Sequence, residues 1–118
     1  MREALAIESF GPGGFRVAGV WRPGSLLILA DAARDWRPAN LADVSAEDFA
    51  EVLAAEAGQV EFVLLGTGPR QALPPRAVAT ALRTAGLGLE FMATDAAARL
   101  HNVLASEGRL FATALIAL

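Results

Sequence analysis

The chain contains no cysteine, which removes disulfides, thiolate metal sites and thiol catalysis from consideration. Histidine occurs once, and all ten basic residues are arginine. With 26 alanines present, the arginine usage reads as a GC-rich coding bias and carries no functional weight. A membrane-crossing helix needs a run of roughly 18 apolar residues. The longest apolar stretches, residues 26–30, 62–65 and 110–118, are far shorter. Positive charge is not in surplus either. Thirteen acids against ten bases give a formal net charge of −3 and a sequence pI of about 5.0, which disfavours a nucleic-acid partner. Residues 1–14 lack the basic region and continuous apolar core of a secretion signal, and Glu3 and Glu8 stand where a transit peptide avoids acids. The expectation is a cytoplasmic protein without direct membrane insertion. What is abundant is apolar mass: 54% of 118 residues, with a mean hydropathy of +0.41, enough for one domain, 1–118, with a dense core.

The first forty residues read as strand and turn. Residues 4–10 alternate loosely and end at Gly11-Pro12-Gly13-Gly14, a stretch no helix tolerates. A second strand is expected over 15–20, and the apolar run 25–29, bounded by turn residues, is too short for a helix. The period then changes. Ser45 begins a helix with Glu47 and Asp48 in its first turn, and Val44 and Phe49 occupy the two positions of a hydrophobic staple. That helix is expected to reach Ala57, with Gly58 beyond it. Residues 61–65 are apolar on both alternating faces, as in a strand covered on two sides. A second helix starts at Pro74-Pro75, turns Val78 and Leu82 inward and ends at Gly86. Strand returns over 87–93. Thr94 caps a third helix whose core face is Ala96, Leu100, Val103 and Leu104, ending at Gly108, and 109–116 is a last strand. The expected fold is a single three-layer α/β domain with a mixed, partly parallel sheet. Its first half is antiparallel and its second half α-β-α-β-α-β, with strands 61–65 and 87–92 parallel.

Ligands in such sheets sit beyond the carboxyl ends of the parallel strands. Here that means Gly66, Thr67, Gly68, Arg70 and Thr94, a candidate anion crevice in which glycines admit close approach, Arg70 offers a forked donor and the third helix points its positive end inward. The same loop also reads as an ordinary tight turn, since it lacks the third glycine of a dinucleotide fingerprint and the lysine of a phosphate loop. Glu90, mid-strand, is a candidate acid or base if buried, and otherwise a structural ion pair or an exposed edge residue. His101 falls at the edge of the third helix's core face, and no serine lies in the strained elbow a nucleophile needs, so no triad forms around it. Asn102, Glu107 and Arg109 make that helix's end unusually polar, either as a recognition site or through a Glu107–Arg109 pair closing the helix. The ligands for a metal site cannot be assembled. Trp21 and Trp36 fall in the turn-rich half as a core anchor or an exposed binding patch.

Several of these pieces recur together. Gly66-Thr67-Gly68, then Gly86-Leu87-Gly88-Leu89-Glu90 with Met92 and Thr94, then Asn102-Val103-Leu104, Glu107-Gly108-Arg109 and Ala114-Leu115-Ile116, resemble one single-domain family. Gly13-Gly14-Phe15, the strand after Gly24 and Trp36 extend the likeness to almost the whole chain. The family is that of mitochondrial respiratory complex I assembly factor 3 and the adipogenesis-associated Mth-domain protein. The resemblance implies a three-layer α/β fold with a mixed sheet, no catalytic residues and no cofactor. For the mitochondrial members it implies a non-enzymatic role in building a membrane-bound respiratory complex. Two functions are therefore carried forward: an accessory protein acting through protein partners, and a small-anion or small-ligand site, enzymatic or not, at residues 66–70 and 94 with Glu90.

Overall fold

The computed structural model describes residues 5–56 and 58–118. Its strands are β1 (Ile7–Gly11), β2 (Gly14–Val17), β3 (Val20–Pro23), β4 (Ser25–Leu29), β5 (Ala32–Trp36), β6 (Phe62–Gly66), β7 (Gly88–Met92) and β8 (Phe111–Leu115). The helices are α1 (Ala50–Leu53), α2 (Arg76–Thr84) and α3 (Thr94–Ser106), with 3-10 turns at Leu41–Asp43 and Ala46–Phe49. Strands β1-β2-β3 form an antiparallel sheet, and a five-stranded sheet has the order β5-β4-β8-β6-β7. β6 is parallel to both β7 and β8, whereas β4 is antiparallel to β8 and β5. The expected mixed sheet and the parallel pairing of the two apolar strands are both present.

Connectivity explains the layering. The chain leaves β6 for β7 on one side and returns across β6 to β8 on the other, so two right-handed crossovers place α2 and α3 on opposite faces. On the α2 face, Val78 and Leu82 join Val63, Leu65, Ala112, Ala114, Trp36 and Phe49 in one buried cluster. On the α3 face, Ala97, Ala98 and Leu104 meet Leu64 and Leu115, and the small sheet closes over them with Ile7, Phe15 and Val17. The antiparallel first half therefore does two things: β4 and β5 extend the main sheet, and β1 to β3 cover one side of it.

Several boundaries differ from expectation. The second strand stops at Val17, because Ala18 (φ 52°) and Gly19 (φ 77°) make a two-residue turn into β3. β5 follows a similar turn at Ala30 and Asp31, both left-handed (φ 53° and 62°). The helix begun at Ser45 is a 3-10 turn followed by the four residues of α1, so it ends well before the expected terminus. The staple holds all the same: Val44 and Phe49 are both buried in the α2-side cluster. The last strand is shorter than expected, starting at Phe111. Ala4 and Ala57, expected at the start of the first strand and the end of the first helix, lie outside the described residues.

Candidate functional site

The carboxyl ends of β6 and β7 do meet, and Thr94 joins them. Its Oγ1 accepts from the Gly68 amide at 2.9 Å and donates to the Ile116 carbonyl at 2.8 Å, while its own amide donates to Gly68 O at 2.8 Å. The Ile116 amide in turn donates to Gly66 O at 3.0 Å. Thr67 donates through its amide to Met92 O at 2.8 Å and through its hydroxyl to Arg70 O at 2.6 Å. Both threonines are buried. Gly66 is required here, because a Cβ on it would stand 2.7 Å from Leu115 Cδ2 and 2.9 Å from Thr94 Oγ1. Four of the five candidate residues are thus brought together, but as a hydrogen-bonded joint. The fifth, Arg70, is exposed.

This arrangement corrects the expected role of Thr94. Ala93 is the N-cap of α3, and the Thr94 hydroxyl bonds across to two other segments instead of to its own helix. At the helix start, the Thr94, Ala96 and Ala97 amides already donate to Gly68 O, Asp95 Oδ1 and Ala93 O.

The α3 face is also rotated from the expected one. Thr94, Ala97, Ala98, His101 and Leu104 are buried, whereas Ala96 and Val103 are exposed and Leu100 is half-buried. His101 is a core residue. Its Nε2 lies 2.7 Å from the Leu5 carbonyl, which can only accept, so the ring hydrogen sits there. Nδ1 then accepts from the Thr113 hydroxyl at 2.7 Å. Burial pushes this imidazole below its ordinary value, against a smaller upward pull from Leu5 O and the Asp31 charge. Asn102, the next residue, accepts from Ile7 N at 2.8 Å and donates to Ile7 O at 2.9 Å, acting as one rung of a sheet ladder on β1. Glu107 and Arg109 are both exposed and do not pair with each other. Arg109 stacks over Phe62 at 5.2 Å, and its amide and that of Gly108 close the helix end. Glu90 is exposed on β7, an edge strand. Trp36 is buried and Trp21 is 42% exposed, lying beside Gly14.

Space is found elsewhere. A cavity of about 430 Å³ opens at the amino ends of β6 and β8, walled by Ile28, Asp31, His101, Ser106, Arg109 and Phe111. The sequence marks only His101 and Arg109 among these walls, and neither as part of a cavity, because the other walls come from segments far apart along the chain. Among the described residues no cluster of His, Asp or Glu is placed to hold a metal ion, and no helix is long and apolar enough to cross a membrane.

Residues 7–116 match the family described as "Protein of unknown function (DUF498/DUF598)". The chain belongs to that family. An uncharacterized Rhodobacter capsulatus protein is 42% identical over 113 residues, covering 96% of this chain and 85% of its own. NADH dehydrogenase [ubiquinone] 1 alpha subcomplex assembly factor 3 of Danio rerio is 34% identical over 110 residues. That match covers 93% of this chain but 63% of the relative, so the chain spans about three-fifths of the assembly factor's length. Among solved structures, a crystal structure titled as an outer membrane protein from Bartonella henselae superimposes with a TM-score of 0.87 at 32% identity, covering 97% of this chain and 95% of that one. The resemblance to the assembly factor 3 family is therefore found across nearly all of this domain.

Proposed function

We propose that this protein is a non-catalytic accessory factor that helps assemble a membrane-bound respiratory complex by binding protein partners. The observation that carries this reading is the match to assembly factor 3 along 93% of the chain. The joint around Thr94 supports it, because the groups offered for an anion by the two loops, the Gly68 amide and the Thr67 and Thr94 hydroxyls, are already bonded within the fold. The experiment is affinity capture of the folded protein from native lysate with mass spectrometry. Enrichment of respiratory-complex subunits or their assembly proteins is expected. A bait that captures no such protein overturns the reading.

The rival reading, an anion site formed by Gly66, Thr67, Gly68, Arg70 and Thr94, makes its own prediction. Inorganic phosphate would raise the melting temperature, and Arg70→Ala would remove the rise.

A further inference from the structure

Most of the arginines are engaged. Arg16 donates to Gly19 O; Arg22, Arg34, Arg37 and Arg99 pair with Asp35, Glu51, Asp48 and Asp95; Arg109 covers Phe62. The guanidinium groups of Arg70, Arg76 and Arg83, by contrast, make no ion pair, side-chain hydrogen bond or ring contact with any described residue. They share one stretch of chain, and between Glu61 and Glu90 there is no acidic residue at all. A segment of charge +3 thus stands apart within a protein of net charge −3.

The same stretch borders the least protected sheet edge. Exposed edges are usually blunted by proline, charge or a covering group. On β1, Asn102 bonds both backbone groups of Ile7. β3 carries Pro23, which has no N–H, and β5 carries Arg34 and Asp35, both ion-paired. β7 has no proline, and its single charge, Glu90, is exposed and makes no ion pair with a described residue. The Gly88 amide and Met92 carbonyl bond toward β6 and the loop after it, so by alternation Leu89 and Phe91 turn their backbone groups to the open side. Gln71 Nε2 reaches Phe91 O there at 3.3 Å, which leaves Leu89 N–H, Leu89 C=O and Phe91 N–H along the edge.

The arginines run beside that edge. Arg76 and Arg83 are seven residues apart, hence on one face of α2 and about 10 Å apart along it. The five residues of β7 span roughly 13 Å. The Leu87 amide donates to Leu82 O where the helix end turns back to β7, and Gln71 fixes the Arg70 segment near the strand's other end. Between them Leu73 is 80% exposed. We propose that the open edge of β7, flanked by Leu73, Arg70, Arg76 and Arg83, docks an extended acidic segment of a partner protein as an added strand. This deepens the protein-binding reading above and rests on it. An anionic membrane or a nucleic acid would leave the Leu89 and Phe91 backbone groups unused, whereas an added strand bonds them and sets its acidic side chains against the arginines.

Two experiments on the intact protein test this. The first titrates an eight-residue peptide alternating glutamate and valine, and the same peptide with lysine for glutamate, following backbone amides by NMR. The glutamate peptide is expected to saturate, to shift residues 70–76 and 88–92, and to bind at least tenfold more weakly to Leu73→Asp and to the Arg76→Glu/Arg83→Glu variant, all these positions being exposed. Equal binding of both peptides, no binding, or shifts confined elsewhere overturns the proposal. So does co-sedimentation of the protein with phosphatidylserine vesicles that the same substitutions abolish while the peptide has no effect. The second repeats the lysate capture with these variants. Respiratory partners captured equally by wild type and variants leave the assembly reading standing and sink the docking edge. Peptide binding as expected, with no respiratory partner captured, keeps the edge and sinks the assembly reading.

Discussion

Thr94 ties three segments together with one hydroxyl, accepting from the loop after β6 and donating to the chain after β8. Replacing it with valine keeps the shape but strands a buried amide and a buried carbonyl. At about 1–3 kcal/mol for each unsatisfied group, the loss should be roughly 2–6 kcal/mol by denaturant unfolding, with Thr94→Ser much closer to wild type. His101 gives a second residue-scale prediction. Burial holds its folded pKa below the ordinary value of about 6.5, so the unfolded chain takes up a proton at a pH where the folded protein does not. Stability should be fully present above pH 6.5, decline as pH falls below it, and level off once pH is below the folded pKa. Unfolding measured between pH 5 and 8 checks this. A His101→Gln variant that retains the same slope would assign it to another group.

At the scale of elements, the end of β5 is latched to the turn before α1 through Asp48. Arg37 donates Nε and one NH2 to the two oxygens of Asp48 at 2.7 Å each, Ser45 N adds a third bond, and Trp36 Nε1 donates to Asp48 O at 2.9 Å. The Arg37 hydrogen bond holds the Asp48 carboxyl below the usual carboxylate range. Its stabilisation is present above pH ~4 and is lost as pH falls through the lower folded pKa, so Asp48→Asn should flatten the acid limb of the stability curve. The Asp48 side of this latch was legible, since Ser45 reads as a helix start with Asp48 in its first turn; Arg37, eleven residues away, carries no local signal. The same division holds elsewhere. β6, α2 and β7 are readable because Val63, Leu64 and Leu65 form an unbroken apolar run and Pro75 and Gly86 bracket the helix. β3 and β5 are not, because their turns use Ala18-Gly19 and Ala30-Asp31 instead of the Asn-Gly pair that announces a hairpin. The α3 face was misread because Ala97, Ala98 and His101 outcompete larger apolar residues for the narrow space between two sheets. Of the candidate site, the convergence of residues 66–68 with Thr94 followed from topology. That their polar groups would satisfy one another depended on carbonyls far along the chain, such as Ile116 O.

The molecule as a whole is two unequal sheets sharing α3. β6 and β8 are paired on both sides and covered on both faces, whereas the β1 to β3 sheet rests on α3 and β4 and is held at its edge by Asn102. That geometry allows a partly open state in which the small sheet detaches while the cluster around Val63, Val78 and Leu82 stays packed. Native-state hydrogen exchange distinguishes this from all-or-none opening. In the partly open state the Leu82 contacts persist, so Leu82→Ala, at a cost of about 2–5 kcal/mol, should lower the protection of amides 63–65 while leaving amides 14–17 unchanged. The Asn102 bonds are broken in the partly open state and in the unfolded state alike, so Asn102→Ala should speed both sets of amides by the same factor. If Leu82→Ala accelerates amides 14–17 as much as amides 63–65, the two layers open together and the small sheet is not a separate unit.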